Sequence, residues 1–167
     1  MYIISFDPGK TTGCVVLNAT SRNVFSTEFV TQILWETRFD DVKYVIRQYN
    51  SAYTKIVIEN FLLYKGLAEA QAGSNIPSAQ MIGIIAAYTY DYSEVEVDNP
   101  LSFCFQMASQ IHLSPAAMRL TGKHSRVLYS PKPEEEKYFV GKRHALDAYA
   151  HAIFYIQNNS KVLFSEY

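Results

Sequence analysis

The sequence predicts an α/β fold with strands and helices in the order β-β-β-α-β-α-β-α. Three observations lead there. Short apolar runs separated by turn residues fill the first thirty positions, a helical period replaces them over residues 33–51, and a continuous β-branched run follows at residues 55–58.

The first strand is Tyr2-Ile3-Ile4-Ser5-Phe6, and the second is Cys14-Val15-Val16-Leu17. Between them lies Asp7-Pro8-Gly9-Lys10-Thr11-Thr12-Gly13, a tight turn with a carboxylate at the end of the first strand. Pro8 fixes its own φ, and Gly9 and Gly13 are read as residues that permit conformations closed to a side chain. Ala19 to Asn23 is a second turn and Val24 to Val30 a third strand, so three antiparallel strands follow one another. Ile33, Leu34, Phe39, Val42, Val45, Ile46 and Tyr49 then fall largely on one helix face. Lys55-Ile56-Val57-Ile58 reads as a central strand covered on both sides, and it ends in Glu59.

Ser78 to Tyr90 is an apolar helix whose Met81, Ile82, Ile84, Ile85 and Ala87 spread over more than one face. Such a helix is either sandwiched in the core or set at a subunit interface. Glu94-Val95-Glu96-Val97-Asp98 alternates as a fifth strand, residues 101–111 read as helical, and residues 114–140 are irregular, with Pro115, Pro131 and Pro133. A helix from Lys142 to about Asn158 closes the chain, and the tail from Lys161 carries no pattern. The 167 residues are expected to form a single domain, with its core in about residues 1–158.

An apolar fraction of 49% and a charged fraction of 19% exclude a disordered chain. No apolar run approaches the about eighteen residues of a membrane span, and Asp7 comes too early for a secretory signal. Cys14 and Cys104 make neither a disulfide framework nor a CxxC pair, so an intracellular, cytoplasmic protein with reduced thiols is expected. Net charge is −1, but its distribution is uneven. Residues 119–143 hold seven basic and three acidic residues, a net of +4, whereas the remainder, with eight and thirteen, has a net of −5. Such a stretch is either a local phosphate-binding surface or a solvated loop.

The last helix carries His144-Ala145-Leu146-Asp147-Ala148-Tyr149-Ala150-His151. At about 100° per residue, His144, Asp147 and His151 follow one edge of the helix, while Ala145, Ala148 and Ala152 allow close approach to a sheet. A carboxylate backed against apolar strands needs a partner, and a divalent cation would serve. Asp7, Glu59 and Asp147 together form an oxygen-rich set suited to Mg²⁺ or Mn²⁺. Two such ions about 4 Å apart are the recurring arrangement for attack on a phosphodiester.

With Asp on strand one, Glu ending strand four and Asp on the last helix, the chain resembles the ribonuclease H-like superfamily. Asp7-Pro8-Gly9 with Gly13, Glu59-Asn60-Phe61 and His144-x-x-Asp147-Ala148 resemble the RuvC family of Holliday junction resolvases, most closely its shorter phage-type members. The resemblance implies a five-stranded mixed sheet, three antiparallel strands then two parallel, flanked by helices. It further implies a homodimeric, metal-dependent endonuclease that nicks branched DNA, with host cytoplasm as its location if phage-encoded. Asp7, Glu59, His144 and Asp147 would be the catalytic metal ligands, for two Mg²⁺ ions with Mn²⁺ able to substitute. His144 in the fourth ligand position inclines the site toward Mn²⁺.

Lys10, Lys142 and Arg143 flank these residues and Lys123 lies in the basic stretch, so all four are candidate DNA contacts. Tyr64, after the Glu59 strand end, would stack on an unpaired base or pack in the core, and Phe61 is read as core. His151 is read as a hydrogen-bonded structural residue, and His112 and His124 have no metal-like spacing. A nucleotide-binding P-loop is excluded, because Ile4 stands where that motif needs glycine. An actin-like kinase is disfavoured, because it needs two domains and a second phosphate loop. Two alternatives remain beside a junction resolvase. One is an inactive nucleic-acid-binding relative, and the other a flap, fork or RNA nuclease with the same site.

Overall fold

Thirty-four residues of alternating strand pattern become a three-stranded meander: β1 (Tyr2–Asp7), β2 (Thr11–Ala19) and β3 (Phe25–Leu34). The computed structural model describes residues 1–36, 40–51, 53–60, 76–93, 102–111 and 129–164. β4 (Lys55–Glu59) and β5 (Ser102–Gln106) complete one sheet in the order β3-β2-β1-β4-β5. β1, β2 and β3 are antiparallel, and β4 runs parallel to β1 and β5 to β4. The mixed sheet is the expected one.

Strand alternation sorts the side chains into two cores. Ile4, Phe6, Cys14, Val16, Ile56 and Ile58 point to one face. There they meet Val42, Val45 and Ile46 of α1 (Asp40–Gln48) and Met81 and Ile85 of α2 (Pro77–Ser93). Ile3, Val15, Leu17 and Val57 point to the other face and meet Ala145, Ala148, Tyr149, Ala152, Ile153 and Ile156 of α3 (Arg143–Leu163). The three alanines have no exposed surface, so α3 lies close on the sheet. Burial in the first core explains the Cys14 thiol, whose pKa is pushed far up.

Several boundaries differ from the sequence reading. β3 continues to Leu34, so Ile33 and Leu34 belong to a strand rather than to the helix. Thr11 to Cys14 pair with residues 31–34, and these ladder bonds outweigh a helical start. α1 begins at Asp40, with Asp40 and Asp41 in its first turn and Arg47 in its last, matching the helix dipole. The helix expected over 101–111 is instead β5 followed by a single 3₁₀ turn, Ala108–Gln110. Phe103-Cys104-Phe105 suits a strand, and pairing it with β4 satisfies backbone groups that would otherwise lie open on β4. The strand expected at 94–98 lies outside the described residues. α2 and α3 run longer than expected, α3 to Leu163. Among the described residues, no helix is long and apolar enough to cross a membrane.

Candidate metal centre

One register row crosses the whole sheet at the site. Gln32 of β3 lies opposite Gly13 of β2, and Gly13 opposite Asp7 of β1. Glu59 follows one residue after the Phe6–Ile58 pair, and Gln106 of β5 lies opposite Glu59. By the two-residue period, all five positions face α3. They place two carboxylates on adjacent strand ends under that helix, Asp7 beneath its start at His144 and Glu59 against His151 two turns on.

Contacts along the row seat α3. The His144 backbone N–H donates to Gln32 Oε1 at 3.1 Å, which satisfies one of the donors a helix start leaves open. At Gly13 the helix comes so close that a Cβ would overlap the His144 carbonyl and the Ala145 nitrogen. Gly13 is thus required for close approach and not for its φ. Among the described residues the one glycine with positive φ is Gly141, just before α3. The β1–β2 turn is held by Thr12, whose Oγ1 accepts from the Gly9 N–H and donates to the Gly9 carbonyl.

Asp7, His144 and Asp147 converge, each offering a ligand atom within 4.8 Å of the others. His144 Nδ1 is 2.8 Å from Asp7 Oδ2, with Asp7 only 9% exposed. Burial raises the Asp7 carboxyl above the usual range, and the charges of Glu59 and Asp147 add to the effect, while the hydrogen bond to His144 opposes it. The hydrogen bond to Asp7 raises the His144 pKa, helped by the charges of Asp7 and Asp147. Crowded anionic oxygens with one imidazole nitrogen fit a divalent cation, which would relieve their mutual repulsion. Glu59, at the neighbouring strand end, has Oε2 2.8 Å from His151 Nε2.

The candidate DNA contacts are spread more widely. Lys10 sits in the β1–β2 turn, exposed, with Nζ 4.0 Å from Glu36. Arg143 is exposed at the first position of α3. Lys142 Nζ donates to the carbonyls of Val30 and Tyr138, at 3.3 and 3.0 Å, on the β3 side. Tyr64 and Lys123, with Phe61, lie outside the described residues. Sequence reasoning missed Gln32 and Gln106 and did not see that His151 meets Glu59. The available signal was spacing, since His151 stands one helical step beyond Asp147 on the edge that carries His144.

No protein-family model matches the chain, and a search of curated proteins returns no match. Solved structures do match. RuvC of Thermus thermophilus superposes with a TM-score of 0.59 at 14% identity, over 96% of this chain and 98% of that one. T. thermophilus RuvC in complex with a Holliday junction substrate gives 0.57 at 13% identity, over 96% and 97%. The Fowlpox virus resolvase, in a complex with substrate Holliday junction DNA, gives 0.54 at 14% identity, over 98% and 99%. The chain has the fold of the RuvC-like resolvases, a ribonuclease H-like sheet with its helices.

Proposed function

We propose that this chain is a metal-dependent, structure-specific endonuclease that nicks four-way DNA junctions, acting on DNA in the cytoplasm as a homodimer of single nuclease domains. The observation that carries the reading is the convergence of Asp7, His144 and Asp147 beside Glu59, on a fold whose solved neighbours are resolvases, two of them in complex with Holliday junction DNA.

Asp7, Glu59, His144 and Asp147 would hold the ions, Mg²⁺ or Mn²⁺. Divalent cations held there would supply activation of water and stabilisation of the leaving 3′-oxygen. The chain's own residues do the rest. Asp7 and Glu59 stand on strand ends that cannot drift, so the ligand set is organised before substrate arrives. His144 and Asp147 ride on a helix pinned by Gln32 and Gly13, which fixes their approach to Asp7. Arg143 and Lys10 are exposed near the ligands and are assigned to the phosphates flanking the scissile bond, contacts that position DNA without reading its sequence. A homodimer suits a four-way junction, because two-fold symmetry presents one site to each of two equivalent strands.

Cleavage of a labelled four-way junction, a flap and a linear duplex, each with Mg²⁺, Mn²⁺ or EDTA, tests the reading. The expected result is paired nicks in the junction that disappear with EDTA. Cutting confined to the flap would keep the site and change the substrate. Binding without any cutting would instead identify an inactive nucleic-acid-binding protein.

A further inference from the structure

Two histidines two turns apart on α3 meet the carboxylates of two adjacent strand ends, and they differ in access. The His144 side chain is 45% exposed and the His151 side chain has no exposed surface. His144 is therefore open to an ion or substrate, whereas His151 reaches neither and touches only protein. Both its ring nitrogens are engaged: Nε2 lies 2.8 Å from Glu59 Oε2 and Nδ1 lies 2.9 Å from Gln106 Oε1. Gln106, 3% exposed, lies directly opposite Glu59 in the β4–β5 register, so the imidazole bridges neighbours in one row.

An ionised carboxylate can only accept, so the hydrogen between His151 and Glu59 sits on Nε2 whichever way the Gln106 amide is turned. That N–H holds Oε2, one of the two carboxylate oxygens of Glu59. Glu59 has three rotatable side-chain bonds and a partly open environment, so without this partner its carboxylate would sample several directions. We propose that His151, itself held by Gln106, is a positioning residue that orients the Glu59 carboxylate as a metal ligand. This rests on the metal-dependent reading above. α3 then plays two parts, supplying ligands from its first two turns and aligning a strand's ligand from its third. Partners of this kind behind a metal ligand typically change affinity 10–100-fold when removed.

The test is calorimetric titration of Mn²⁺ into the full chain, beside thermal melts in EDTA, for wild type, Asp7→Asn, His151→Phe, His151→Gln and Gln106→Leu. His151→Phe should bind Mn²⁺ about 10–100-fold more weakly. His151→Gln, which keeps an N–H donor of similar reach, should recover most of that loss. Should His151→Phe fail to fold, Gln106→Leu decides, with affinity expected to fall about tenfold as the imidazole loses its second anchor. A lower melting temperature with unchanged Mn²⁺ affinity would make His151 a core residue only and overturn the proposal. Loss of Mn²⁺ binding in Asp7→Asn with wild-type binding in His151→Phe would overturn the positioning role alone. A wild-type chain that binds no Mn²⁺ would overturn both readings.

Discussion

Gly13→Ala is expected to disable the site while adding a single methyl group. Gly13 has an ordinary strand conformation, so alanine meets no backbone strain there. It meets the His144 carbonyl and the Ala145 nitrogen instead, and these are backbone atoms that no rotamer change can move. The start of α3 must lift from β2, which separates His144 and Asp147 from Asp7 and strains the Gln32 contact with the helix. Overpacking of this kind costs about 3 kcal/mol or more. For a chain of this length that is a fall in Tm of roughly 6–12 °C. Thermal melts and Mn²⁺ titration check both effects. A variant with wild-type Tm and affinity would mean that α3 does not sit on Gly13.

Asp7→Asn should separate stability from function in opposite directions. Cleavage should fall at least about a thousandfold, equivalent to about 4 kcal/mol of lost transition-state stabilisation. Junction binding should persist or tighten, because a negative charge near phosphate has gone. In EDTA the variant should melt at a higher temperature than wild type. The folded-state pKa of Asp7 is raised above its ordinary 3.8, chiefly by burial. Its contribution to stability is therefore complete below that value and is lost as pH rises through the folded value, so above the folded value the buried Asp7 carboxylate weakens the metal-free fold. His144, raised from 6.5 by its bond to Asp7, adds stability below 6.5 that likewise fades as pH rises. Asparagine gives up that ionic partnership too, so the variant's advantage should be largest near pH 8 and shrink toward pH 6. Adding Mn²⁺ should reverse the order, since an ion that binds only the folded wild type stabilises it. Melts with and without Mn²⁺ across this pH range read the prediction directly.

Much of this centre is visible in the residues before folding is considered. Asp7 and Glu59 are conspicuous because each ends an apolar run, and a polar group at the end of a buried strand calls for a partner. His144 and Asp147 are conspicuous because helical spacing puts them on one edge. What stays hidden depends on contacts between distant parts of the chain. Gly13 looks like a turn residue until α3 is laid across β2, and only then is its missing side chain seen as room for a carbonyl. His151 looks structural, as it is, but its partners depend on the parallel register of β4 and β5. That register does not follow from a sequence in which residues 102–106 read as helix. The misreading has a physical origin, because five residues are too few to separate a period of 2 from one of 3.6. The alternation at 94–98 has the period of a strand and competes with Phe103-Cys104-Phe105 for the fifth place in the sheet.

The proposed metal centre is bounded by Asp7, Glu59, His144 and Asp147. Loading the proposed centre with Fe²⁺ and adding ascorbate and peroxide should cut the polypeptide beside it, and mass spectrometry locates the breaks. Fe²⁺ binds nitrogen and oxygen donors much as Mn²⁺ does. The expected result is breaks in three separate places at once, near residue 7, near residue 59 and within residues 144–147, all suppressed by excess Mn²⁺ and absent from Asp7→Asn. Breaks elsewhere, or breaks at these places that persist in Asp7→Asn, would contradict it.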